Sequence, residues 1–177
     1  MSTGISSSYI AIPNQIGSGV AFTLISRETL AGAANAFTQV AIPSGYTQIR
    51  ITILGKATAG TGIIKCVFNA DTGNNYFQQY IKATGATITA VNPAATGAWT
   101  LADNFGVSDL FQIVGFITNP AAAIYRTGQS QGGSGSTPLN FLNNLTYAAT
   151  GAITTIDIST TTSTFVIGSQ LIVEGLK

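Results

Sequence analysis

The sequence predicts an all-β fold, an antiparallel β-sandwich or jelly roll, from three observations. Apolar and polar residues alternate with a period of two, as in Gln48–Leu54, where three isoleucines share one face. Turn signals such as Pro43-Ser44-Gly45 and Asn119-Pro120 separate the alternating segments at short intervals. No segment sustains the period of about 3.6 residues that marks an amphipathic helix. Two packed antiparallel sheets are therefore the expected architecture.

The alternation and the turns together predict roughly ten short strands. In chain order they are Phe22–Glu28, Thr38–Ile42, Gln48–Leu54, Gly62–Asn69, Tyr76–Ile81, Leu110–Thr118, Ala122–Gln129, Phe141–Ala148, Thr155–Ser159, Phe165–Ile167 and Gln170–Gly175. Residues 29–37 and 93–105 could each hold a short helical turn. The glycine-rich segment 131–136 is expected to be an exposed tip, and the apolar run 171–173 predicts a buried last strand.

The chain of 177 residues fits one domain, which we place at residues 20–177, preceded by an extended arm at residues 1–19. The arm mixes small polar residues with isolated large apolar ones, a pattern that cannot form a core of its own. We expect it to dock on a neighbouring subunit through Tyr9, Ile10 and Ile12, with Pro13 keeping the segment extended.

Charged residues make up only 7% of the chain, against about 25% in an ordinary soluble domain. The polar surface must therefore consist of Thr, Ser, Asn and Gln, which favours association through hydrogen bonds. The net charge is +1 and the seven basic residues are scattered, so direct binding to nucleic acid is not expected. There is no histidine, which removes the usual general base and the commonest metal ligand.

Cys66 is the single cysteine and lies in an apolar run, which predicts a buried thiol and excludes an intrachain disulfide and a thiolate zinc site. The first residues carry no basic region or long apolar stretch, so a signal peptide is not expected. No segment approaches the roughly 20 apolar residues that span a bilayer. We expect a protein that is made in the cytoplasm without a membrane partner.

The acidic residues do not form a recognisable catalytic or metal-binding pattern, and we predict no catalytic residue, metal site or cofactor. Asp103 and Asp109 are six residues apart, a spacing that does not indicate a glycosidase pair. The segment Asp71-Thr72-Gly73-Asn74-Asn75 resembles half of a calcium loop but lacks the remaining ligands. We interpret it as a hairpin turn in which Asp71 accepts hydrogen bonds from backbone amides and Gly73 has a positive φ.

Aromatic residues are the candidate interaction residues within the domain. Tyr76 and Tyr80, with Phe77 and Tyr125, could form a platform for a sugar. In alternating strands such residues more often divide between the core and an interface. Both interpretations remain open from the sequence.

Two stretches resemble virion proteins of tailed bacteriophages. One is Phe68-Asn69-Ala70-Asp71-Thr72-Gly73-Asn74-Asn75-Tyr76, which is similar to an F-N-x-D-[TS]-G-x-N-Y turn between two strands. The other is the segment 165–177, ending Gly168-Ser169-Gln170-Leu171-Ile172-Val173-Glu174-Gly175-Leu176-Lys177, which is similar to a closing strand G-S-x-[IL]-x-[LV]-x-G-[LI]-K. Val173-Glu174 stands where Leu-Tyr is usual, a departure that affects side-chain packing. The family comprises jelly-roll structural proteins: capsid cement or decoration proteins, head fibres and tail appendages.

The resemblance implies a non-enzymatic structural protein of the virion that is assembled in the host cytoplasm. The preferred form is a capsid cement protein, a homotrimer that binds across major capsid subunits and stabilises the head. The alternative is a tail or tail-tip protein that binds a receptor or a glycan. Both forms have other virion proteins as partners, without nucleic acid, membrane or cofactor.

Overall fold

The computed structural model describes residues 21–58, 62–105, 110–122, 125–134 and 139–177. Within these ranges the regular structure consists of strands, and no helix is present. The strands form two antiparallel sheets in a sandwich-like arrangement, which confirms the predicted fold class. The proposed arm with Tyr9, Ile10 and Ile12 lies outside the described residues.

Twelve strands are present in the described part of the chain. They are β1 (Thr23–Thr29), β2 (Val40–Ala41), β3 (Gln48–Gly55), β4 (Gly62–Phe68), β5 (Tyr76–Thr84), β6 (Thr87–Val91), β7 (Trp99–Phe105), β8 (Phe111–Thr118), β9 (Arg126–Ser134), β10 (Leu139–Tyr147), β11 (Thr155–Thr160) and β12 (Gln170–Leu176). The large sheet has the order β1-β12-β3-β8-β9-β10-β5-β6, and the small sheet has the order β2-β11-β4-β7. The small sheet covers one face of the large sheet, mainly where β7 packs on β9 and β10.

The last strand is an interior strand of the large sheet, as its apolar run predicts. β12 pairs with β1 on one side and with β3 on the other, both antiparallel. Its Leu171 and Val173 are buried beside the isoleucines of β3. Residues at the very end of the chain therefore complete the hydrogen bonding of two other strands.

The centre of the core is a cluster of aromatic rings between the two sheets. Trp99 is fully buried and lies 6.1 Å, centroid to centroid, from Phe68. The rings of Tyr76 and Tyr147 are 4.8 Å apart and tilted, a favourable aromatic geometry. A Cβ atom at Gly115 would lie 3.1 Å from the outer edge of the indole ring, so the absence of a side chain there makes room for Trp99.

A buried hydrogen-bond network joins the two sheets beside this cluster. The side-chain amide of Asn143 donates to the Gln78 side-chain oxygen at 2.8 Å and to the Thr100 carbonyl at 2.6 Å. The Thr100 amide donates to the same Gln78 oxygen at 2.9 Å. Because buried amides without partners are costly, this network specifies which face of β5 and β10 points inward.

Several expectations for individual segments were wrong. Residues 93–105 hold strand β7 from Trp99 onward instead of a helical turn, because that strand packs its large side chains into the core. Residues 29–37 form isolated bridges at Ala34 and Ala36, with no helix. β9 continues to Ser134, so most of the predicted exposed tip is paired strand, supported by β8 and β10 on its two sides.

Two further differences concern short strands. β6 was not predicted, because its residues are exposed and lack a clear apolar face. The segment 165–167 contributes only single bridges from Phe165, to Ala34 and Ala57, instead of a strand.

Cys66 is buried, as expected from the sequence. This burial and, to a smaller extent, the nearby charge of Asp157 raise the pKa of its thiol.

Candidate functional site

The two tyrosines predicted for a surface platform lie on the inner side of β5. Tyr76 is fully buried; its hydroxyl accepts a hydrogen bond from the Phe68 amide at 2.9 Å and donates to the Asp71 carbonyl at 3.1 Å. The Tyr80 hydroxyl donates to Asp103 at 3.4 Å. The expectation of a platform formed by these residues is therefore corrected, because both rings are engaged inside the fold. Phe77 points to solvent from the same strand and is 51% exposed.

The segment 69–75 connects the two sheets, so the predicted hairpin turn is wrong in topology: β4 belongs to the small sheet and β5 to the large one. The Asp71 carboxylate accepts a hydrogen bond from the Gly73 amide at 2.8 Å, as predicted. The positive φ angles, however, are at Asn69 (53°) and Ala70 (54°), and Gly73 is not in that region. Gly73 matters sterically, because a Cβ atom there would lie 3.0 Å from Asp71 Oδ1.

Hydrogen bonds within the protein occupy the Asp71 carboxylate. Its Oδ2 accepts from Asn75 Nδ2 and from the Tyr147 hydroxyl, each at 2.8 Å. Burial raises the pKa of Asp71, but the hydrogen bonds from Asn75, Tyr147 and Gly73 outweigh it and hold the pKa below its usual value. Burial and the bond to Asp71 raise the pKa of Tyr147 to about 12. The described residues contain no group of three or more His, Cys, Asp or Glu side chains that could hold a metal ion.

Acid should destabilise the fold through Asp71. Its pKa is lower in the folded chain than in the unfolded one, so the stabilisation is present above the unfolded value, about 3.9, and is lost as the pH falls further. Urea unfolding between pH 6 and pH 2 should show a loss of stability below about pH 4 that is smaller in Asp71→Asn. Equal acid sensitivity of the two proteins would contradict this assignment.

Asp103, one of the two carboxylates considered for catalysis, forms an ion pair with Lys82 at 2.7 Å. Its position is explained by this contact and by the weaker bond from Tyr80. Asp109 lies outside the described residues.

Among the described residues no helix is long and apolar enough to cross a membrane.

The outward side chains of β8, β9, β10, β5 and β6 form an outer face of the large sheet, over which no strand packs in the described part of the chain. Its members are exposed or half-buried and carry amide, hydroxyl or apolar groups. They are Gln112, Val114, Phe116, Thr118, Thr127, Gln129, Gln131, Asn140, Leu142, Asn144, Thr146, Phe77, Gln79, Ile81, Ala83, Ile88 and Ala90. None of these residues is ionisable. The nearest charged pair on the neighbouring strands is Arg50 with Glu174, whose side chains are 2.7 Å apart.

A groove of about 880 Å³ crosses this face. We call it the amide groove and define it by Phe77, Gln79, Phe116, Thr127, Gln129 and Asn144. The pairing register places Gln79 beside Asn144, Asn144 beside Gln129 and Gln129 beside Phe116, in one row across four strands. Gln129 Nε2 donates to Asn144 Oδ1 at 2.9 Å. The wall at one end is formed by Asn92 and Pro93, which follow β6.

An apolar patch adjoins the groove at the edge of the sheet. We call it the edge patch: Ile81, Leu142, Ile88 and Ala90. Ile88 is 75% exposed, Ile81 49% and Leu142 47%, fractions unusual for three large aliphatic side chains in one place. β6 pairs with β5 only, so within the described part of the chain its other edge has no strand partner. Such an edge is suited to contact with another protein chain.

No family model matches the chain, and no curated protein matches it with a significant score. The resemblance of the two short segments to phage virion proteins therefore stays a prediction. Phe116, Gln129 and Asn144, which lie on three different strands, were not predicted as site residues. The alternation in each strand indicates that these side chains point away from the core. Only the order of the strands in the sheet shows that they lie next to one another.

Proposed function

We propose that the chain is a non-enzymatic structural protein of a bacteriophage virion, and specifically a capsid cement protein that works as a homotrimer. The observation that carries this proposal is the edge patch on an otherwise uncharged sheet face. A solvent-exposed cluster of Ile81, Ile88 and Leu142 is costly in a free monomer and favourable at a contact between subunits. The two short sequence resemblances to virion proteins point to the same class.

The proposed mechanism is mechanical. A cement protein binds the assembled shell and not its separated subunits, so each bound copy shifts the equilibrium toward the shell. A contact of about 1,600 Å² would be typical of a stable protein interface. The edge patch would form its apolar centre, and the neighbouring threonine and amide side chains would form the polar rim. The absence of ionisable residues on the outer face means that no charge has to be desolvated there.

Placing a charge in the edge patch should strongly weaken attachment to the particle. In Ile88→Lys the ammonium group would be buried against the partner, so binding to particles that lack the protein should fall about tenfold or more. The folded monomer should keep its melting temperature, because Ile88 is 75% exposed. Co-sedimentation of purified protein with the particles measures attachment, and circular dichroism measures melting.

The matched control is Ile167→Lys, since Ile167 is 65% exposed and lies outside the edge patch. This variant should attach like the unmodified protein. Equal attachment of both variants, or absence of the chain from purified virions by mass spectrometry, would contradict the proposal. The copy number per virion separates the two locations: hundreds of copies indicate the head, whereas a few to a few dozen indicate the tail.

A further inference from the structure

We propose that the amide groove is a binding site for a neutral oligosaccharide. This inference goes beyond the structural role proposed above and does not depend on it, because the groove and the edge patch are different parts of the outer face. Three features of the groove support this proposal: its hydrogen-bonding groups, the placement of its two aromatic rings and its lack of charge.

The groove presents unused amide groups in a row. The bond from Gln129 Nε2 to Asn144 Oδ1 leaves the Gln129 oxygen and the Asn144 amide hydrogens without a partner among the described residues. The side chain of Gln79, the next residue in the row, forms no hydrogen bond within the described part of the chain. Neighbouring residues of such a row are about 4.5–5.5 Å apart, and each amide offers both a donor and an acceptor. Adjacent hydroxyl groups of a sugar ring need both kinds of partner at short spacing.

One aromatic ring ends this row, and the other lies beside its opposite end. Phe116 on β8 is the last residue of the row, and Phe77 on β5 is two residues from Gln79. The strands that carry the two rings are therefore three strand spacings, about 14 Å, apart. Phe77 is 51% exposed, and Phe116 is half-buried and lies beside Phe22, with ring centroids 6.4 Å apart. An exposed ring can cover the apolar C–H face of a sugar. This separation fits a chain of a few sugar units lying across the strands, with a ring under each end and amides between them.

The absence of charge in the groove restricts the class of ligand that it can bind. No residue that lines it is ionisable, so it offers no compensation for phosphate, sulfate or carboxylate groups. Single-stranded nucleic acid requires basic residues along its backbone and is therefore a poor fit. Arg50, which is beside Phe116 in the pairing register, is already paired with Glu174. A ligand with many hydroxyl groups and no charge is the best match to the hydrogen-bonding groups of the groove.

The test uses the full chain on a printed array of bacterial surface glycans, neutral and acidic, followed by titration calorimetry with the neutral glycan that binds best. We expect binding to neutral glycans that does not weaken between low and high salt, because no charge is involved. Asn144→Ala combined with Gln129→Ala should weaken binding about tenfold or more, and Phe77→Ala should weaken it similarly. All three positions are exposed, so the melting temperature should change little.

The matched control is Gln131→Ala, which removes an exposed amide of the same face outside the groove and should bind like the unmodified protein. Absence of binding to every neutral glycan, binding to acidic glycans only, or unchanged binding of the groove variants would overturn the proposal. If Phe77→Ala instead lowers attachment to virus particles while no glycan binds, the groove is part of a protein contact and the inference is wrong. None of these outcomes affects the Ile88→Lys test, so the two proposals fail separately.

Discussion

Removal of residues 170–177 is expected to abolish cooperative folding, because these residues form the interior strand β12. Its loss would leave β1 without a strand partner and would expose one edge of β3. The lost burial of Leu171 and Val173 alone corresponds to about 3–6 kcal/mol, a large part of the usual stability of 5–15 kcal/mol. Thermal melting followed by circular dichroism should show no cooperative transition.

A chain that lacks only Lys177 is the control for this truncation. Lys177 is exposed, and its ammonium group lies over the Tyr46 ring, 5.6 Å from the centroid. That chain should melt at nearly the temperature of the unmodified protein. A cooperative transition at an unchanged temperature in the longer truncation would show that β12 is not required, and would contradict the sheet order described above.

Trp99→Ala should lower the free energy of unfolding by about 3–5 kcal/mol, the usual cost of removing a large aromatic side chain from a core. Trp99 is fully buried and contacts the ring cluster at the centre of the sandwich. Its removal would leave a cavity over Gly115 and Gly128, whose lack of side chains now makes room for the indole ring. Urea unfolding followed by circular dichroism gives the change, because the single tryptophan is no longer present as a fluorescent probe.

The variant Trp99→Phe distinguishes the contribution of side-chain volume to stability from the contribution of the indole N–H group. The indole nitrogen has no hydrogen-bond partner within the described part of the structure, so losing its N–H should cost little. We expect this variant to be destabilised by only about 1–3 kcal/mol, because most of the ring volume is kept. Equal destabilisation of the two variants, at equal dependence on urea concentration, would contradict a role based on volume.

The strand β5 shows where sequence reasoning stops. In residues 76–81, Tyr76, Gln78 and Tyr80 are on one face of the strand, and Phe77, Gln79 and Ile81 are on the other. Each set contains aromatic or aliphatic side chains and one glutamine, so a period of two predicts a strand without indicating its inner face. The structure places Gln78 inward, where Thr100 and Asn143 satisfy its side chain.

Strand β7 is a second place where the sequence pattern did not predict the structure. Residues 93–105 were expected to hold a short helical turn, yet the chain from Trp99 onward is extended, and residues 99–102 are buried. Local composition did not predict this strand. Its conformation is supported by pairing with β4, whose partner residues are 33 to 43 positions earlier in the chain.

The all-β class, most strand positions, the buried Cys66 and the interior last strand could be predicted from the amino-acid sequence. Alternation, turn residues and apolar runs are local properties, and these features depend on them. The inward orientation of Tyr76 and Tyr80, and the groove shared by Phe77, Gln79, Gln129 and Asn144, became evident only in the folded structure. Those outcomes depend on strand order and on the hydrogen bonds of buried Gln78 and Asn143, which join residues 65 positions apart in the chain.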